Sequence, residues 1–76
     1  KESTGGYIDD TVITTKVKTA LFGDKNIKSS EINVQTFKGR VQLSGFVSSS
    51  ADANRAVELT RQVQGVRVVE NDMKIK

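Results

Sequence analysis

Three consecutive serines, Ser48, Ser49 and Ser50, and two close pairs of carboxylates, Asp9 with Asp10 and Glu70 with Asp72, are the side chains of this 76-residue chain on which catalysis would draw. A serine becomes a nucleophile when a neighbouring base takes its proton. The chain has no histidine to do so, and no Gly-x-Ser-x-Gly turn to present the hydroxyl. Without histidine or cysteine, the imidazole base, the thiolate nucleophile and the usual zinc ligand sets are all missing. Each serine and carboxylate has a structural use instead. Ser50, or Ser49 with Asp52 three residues on, can cap a helix; Asp9 or Asp10 can cap an earlier one; Glu70 and Asp72 share the solvated face of a strand. The reading is therefore of a domain that is not an enzyme, with no catalytic residue, cofactor or metal site assigned.

Two groups of residues remain as candidates for binding. Setting residues 100° apart from Asp10 onward puts Ile13, Val17, Ala20 and Leu21 in one stripe, with Thr11, Thr15, Lys18 and Phe22 opposite. An aromatic ring beside a lysine on a wet face has two readings. Either Phe22 folds back under segment 24–30 and joins the core, or it forms with Lys18 and Lys25 an apolar patch ringed by positive charge, suited to a lipid headgroup layer or a partner. Exposure of the ring separates the two. The second group is Phe37, Arg40 and Phe46, on a strand face among Gln35, Gln42 and Ser44, which would suit a protein partner. Nucleic acid is set aside. The pairing described next puts Phe37 opposite Arg40 and Phe46 opposite Glu31, without the basic groove that accompanies base-stacking platforms, and the net charge of +3, from 12 Lys+Arg against 9 Asp+Glu, is spread without a block of like charge.

The stretch that positions the rest runs from Phe37 to Val47. Val41, Leu43, Gly45 and Val47 alternate with Arg40, Gln42, Ser44 and Phe46, which gives a half-buried strand. Before it, Ile32 and Val34 alternate in the same way, so a two-residue loop at Lys38-Gly39 makes a hairpin that pairs Thr36 with Val41, Val34 with Leu43 and Ile32 with Gly45. That loop asks Lys38 to accept positive φ. Gly45 lies on the core face, which implies a close approach there, and a helix crossing over it is the expected neighbour. The first helix ends near Phe22 and Gly23, and Ile27 is a plug into the core. A second helix carries a narrow stripe of Ala53, Ala56, Thr60 and Val63 and stops before Gly65. The last strand begins at Val66; its odd positions Val69, Asn71, Met73 and Ile75 form one face, and the change of phase implies a bulge near Val68 and Val69. The expected fold is a single small α+β domain in the order α-β-β-α-β. Its three-stranded mixed sheet has the third strand parallel to the second, the first at an edge, and both helices on one face.

With Gly39, Val41, Leu43 and Gly45 in the hairpin, Ala53 and Ala56 in the second helix, and Gly65-Val66, Val69, Asn71 and Met73 toward the end, the chain resembles a BON domain over residues 9–76. Residues 1–8 read as a flexible N-terminal arm. Gly5-Gly6-Tyr7-Ile8-Asp9-Asp10 and Asn26-Ile27-Lys28 are similar to the hyperosmotically induced periplasmic branch of that family. The resemblance implies a periplasmic protein of the envelope osmotic-stress response that associates with membrane phospholipid or with envelope proteins, including in a chaperone-like role. Members of that branch usually carry two such modules and this chain has one, which fits an excised domain; its start at Lys1 rather than Met fits processing equally. The isolated domain is expected to be monomeric. No stretch approaches the roughly 20 apolar residues of a membrane span.

Overall fold

A computed structural model of the chain describes residues 9–27 and 31–76. The arm at 1–8 and the readings that touch 28–30 lie outside the described residues. Five elements follow in the expected order: α1 (Asp10–Phe22), β1 (Glu31–Phe37), β2 (Arg40–Val47), α2 (Ser50–Arg61) and β3 (Val68–Ile75).

Asp9, not Asp10, caps α1. Its carboxylate accepts the Thr11 backbone N–H at 2.7 Å, and its carbonyl accepts that of Ile13 at 3.0 Å. Ile13, Val17 and Leu21, spaced by four, are fully buried, and Gly23 closes the helix by donating to the Thr19 carbonyl at 3.1 Å. Ile27 is buried as the expected plug. Ser49 is the cap of α2, accepting the Asp52 N–H at 3.2 Å.

The hairpin follows the pattern in its sequence. Lys38 and Gly39 take φ of 50° and 83°, the two positive values of a type I′ turn, and β1 pairs antiparallel with β2 from Phe37↔Arg40 through Ile32↔Gly45. β3 pairs parallel with β2 from Arg40↔Val68 to Val47↔Ile75, giving the order β1-β2-β3. Both helices pack on the face that carries Ile32, Val34, Val41, Leu43 and Val47. Thr14 of α1 donates to the Thr36 hydroxyl of β1 at 2.7 Å. Ala53, Ala56 and the buried Thr60 bring α2 down onto the same core, and the Thr60 hydroxyl is satisfied by the Ala56 carbonyl at 2.8 Å.

Three local expectations are corrected. Gly45 does not make room for a helix: its φ is +111°, and a Cβ there would collide with the Glu31 carbonyl oxygen of β1, so the close neighbour is the backbone of the adjacent strand. α2 stops at Arg61 with Gln62 as its cap, and Gly65 belongs to the turn that follows, where the Val66 N–H bonds to the Val63 carbonyl at 3.2 Å. The last strand starts at Val68, and its pairing with β2 runs without interruption through Val69. The change of phase read as a bulge is the boundary between turn and strand, since Val66 packs against the core from the turn.

Candidate functional site

The exposure of Phe22 excludes the core reading of its ring. It lies in the last turn of α1 with 51% of its surface accessible, so the ring is not folded under the following segment. Lys18 is exposed one turn earlier on the same stripe, and Lys25 is exposed just past Gly23. Neither lysine forms an ion pair among the described residues. On the same side of the helix the hydroxyls of Thr15 and Thr19 donate to the helix's own carbonyls at Thr11 and Thr15, both at 3.0 Å.

The turn that carries Lys25 is fixed from two sides. Asp24 accepts the Arg55 Nε–H of α2 at 2.9 Å and the Asn26 backbone N–H at 2.9 Å, while Ile27 donates to the Asp24 carbonyl at 3.2 Å and buries its side chain. The bond from Arg55, followed by that from the Asn26 N–H, holds the Asp24 carboxyl below the usual carboxylate range. Arg55 thus reaches across to α1's exit rather than to Glu58 three residues on in its own helix, and Glu58 has Arg61 at 3.7 Å.

The outer sheet face has a different character. Phe37 is 69% exposed and Phe46 44%. Phe37 pairs with Arg40, so those two residues are neighbours, but Phe46 lies six residues along β2 from Arg40, about 20 Å at the rise of a strand. The sheet therefore does not unite the two rings in one patch. Arg40 is bonded to Glu70, and Gln42 donates to Asp72 at 2.7 Å. Beside them an open groove of about 590 Å³ is lined by Gln35, Thr36, Phe37, Arg40, Gln42 and Glu70. The Lys38 ammonium stands 5.5 Å from the centre of the Phe37 ring.

Three exposed apolar residues escaped the sequence reading: Val12 on α1, Val68 beside Arg40 on β3, and Ile75 at the end of β3, expected on its apolar face. Val12 sits on the flank of the wheel rather than at its wet centre. Val68 falls in the expected irregular entry to the strand, and only the parallel register places it on the outer face. Of the three serines Ser49 supplies the helix cap, and among the described residues no group of His, Cys, Asp and Glu is arranged to hold a metal ion. No helix among them is long and apolar enough to cross a membrane.

Comparison with known proteins finds a family and several relatives. The family model described as BON domain matches residues 9–76. Osmotically-inducible protein Y of Escherichia coli (strain K12) is 44% identical over 72 residues, 95% of this chain and 36% of that protein. Outer membrane lipoprotein DolP of Haemophilus influenzae is 35% identical over 74 residues, 96% of this chain and 38% of the relative. The 21 kDa hemolysin of Actinobacillus pleuropneumoniae is 40% identical over 60 residues, 79% of this chain and 30% of the relative. The chain thus spans about a third of the length of each of these relatives.

Proposed function

The chain belongs to the BON domain family, and from that membership we propose that it is a non-enzymatic binding module of the bacterial periplasm, which associates with anionic phospholipid surfaces in the envelope response to osmotic stress. The names of two relatives support the setting, one being osmotically inducible and the other an outer membrane lipoprotein. The observation that carries the lipid reading is the exposed Phe22 between two lysines that have no ion partner among the described residues. A cation near an anionic membrane surface gains about 1 kcal/mol, and a half-exposed phenylalanine entering the headgroup layer adds a comparable amount, so the three residues together supply about 3 kcal/mol, a weak, reversible attachment in the millimolar range. Co-sedimentation with phosphatidylglycerol vesicles tests it. Phe22→Ser should lower the apparent affinity about fivefold or more, and neutral phosphatidylcholine vesicles should recover little protein. Equal recovery with both lipids, unaltered by the substitution, removes this reading.

A second reading has its own support in the groove beside Phe37 and Arg40. There the outer sheet face binds envelope client proteins in a chaperone-like role, without direct lipid contact. It requires that the domain suppress aggregation of an unfolding client and that Phe37→Ser weaken the effect; a domain without such activity disposes of it. Neither reading involves nucleic acid or a cofactor.

A further inference from the structure

β3 is the parallel edge of the sheet. Among the described residues it pairs with β2 alone, and its ladder runs from Val68 to Ile75 without proline or bulge. The direction of its backbone groups is fixed by the bonds it makes. Val68 and Lys76 donate to the carbonyls of Gly39 and Val47 on the β2 side, so the even-numbered residues face β2 and the odd-numbered ones face the free edge. Met73 confirms this, since its N–H goes to the side chain of Asn71 at 3.0 Å rather than into the ladder. Such an edge is a template for another strand unless its side chains forbid it.

The side chains specify a partner. Along the outer face β3 reads Glu70, Asp72, Lys74, then Lys76 just beyond its end: two acids followed by two bases at alternate positions. A strand of that pattern is complementary to itself when reversed. We propose that β3 pairs antiparallel with β3 of a second copy of this chain, centred on Met73 opposite Met73, to make a continuous six-stranded sheet with two-fold symmetry. In this register Asp72 faces Lys74 of the other copy and Glu70 faces its Lys76, each pair occurring twice. Met73 with Met73 and Asn71 with Ile75 become the hydrogen-bonded pairs, which is the phase that the outward-facing backbone requires. The charged pairs then fall at the non-hydrogen-bonded positions, where facing side chains are closest.

Neighbouring registers fail on charge. Centring on Asn71 sets Glu70 against Asp72, and centring on Asp72 sets that residue against itself. Lys74 and Lys76 form no ion pair among the described residues, while Glu70 and Asp72 are oriented on this face by Arg40 and Gln42. Ile75, 58% exposed, gains a neighbour across the new edge. The Asn71 side chain must release the Met73 N–H, which makes the association weak and leaves a monomer at low concentration. The inference is independent of lipid binding.

Sedimentation velocity on the chain tests it, from micromolar concentration to the order of 1 mM. The wild type should show a concentration-dependent dimer that weakens in high salt. Lys74→Asp alone and Asp72→Lys alone should each weaken it at least about tenfold, by placing like charges opposite one another. An equimolar mixture of the two variants should recover a dimer, because acids on one copy then meet bases on the other, and recovery also shows that both variants are folded. A wild type monomeric throughout, single variants that dimerise as well as the wild type, or a mixture of folded variants that stays monomeric would each overturn the proposal.

Discussion

The Asp10 carboxylate of α1 accepts the Gly39 backbone N–H of the hairpin turn at 3.0 Å through one oxygen, and that of Lys38 at 2.6 Å through the other. The turn is gripped from its far side as well, where the Gly39 carbonyl accepts the Arg67 N–H at 2.8 Å. Lys38 is the one described non-glycine residue at positive φ, and these bonds offset the strain that its side chain incurs there. Asp10→Ala should therefore lower stability by about 1–2 kcal/mol in urea unfolding, and Asp10→Asn by less. Since Asp10 is remote from the Phe22 end of α1, vesicle binding by the folded protein should not change. An unaltered unfolding midpoint in Asp10→Ala would show that the clamp is idle.

Gly45 is the position least tolerant of a side chain. Any other residue meets both the unfavourable φ of +111° and the Glu31 carbonyl of the adjacent strand. Gly45→Ala should cost about 3 kcal/mol or more, a large share of what a domain of this size has, and should appear as loss of cooperative thermal unfolding or a sharply lowered Tm. A variant of near wild-type stability would mean that the two strands separate there at little cost.

Asp24 makes part of the stability depend on pH. Its carboxyl is held below the ordinary range first by the bond from Arg55 and then by the Asn26 N–H, so the folded state binds the proton less readily than the unfolded chain does. The contribution is present in full above the unfolded pKa of about 4 and is lost as pH falls through the lower folded value. Asp24→Asn should accordingly be less stable than the wild type at pH 7, with the gap closing below pH 4. Urea midpoints across that range check it, and a gap that does not vary with pH would assign the bond no role.

Much of the fold was legible because alternation and turn chemistry agree: Val41 to Val47 could face the core in one register only, and Lys38-Gly39 set that register. What escaped depends on tertiary neighbours. Nothing local distinguishes a glycine that clears a helix from one that clears a strand, as at Gly45, or shows that Arg55 reaches Asp24 rather than its helical neighbour Glu58. The binding surfaces were legible as composition and not as geometry. The sequence named Phe22, Phe37 and Phe46 alike, while the fold exposes all three and separates Phe37 from Phe46 along β2. The self-complementary charges of β3 gain meaning only when the strand is known to lie at an edge.

The central claim is that the outer face of α1 meets anionic lipid, and the most direct measurement is an NMR titration of the labelled domain with phosphatidylglycerol-containing and purely phosphatidylcholine bicelles. The amides of Lys18, Phe22 and Lys25 should shift and broaden with the anionic lipid and stay unmoved with the neutral one, while those of Phe37, Arg40 and Phe46 remain in place. No response to either lipid, or a response confined to the sheet face, would contradict the account.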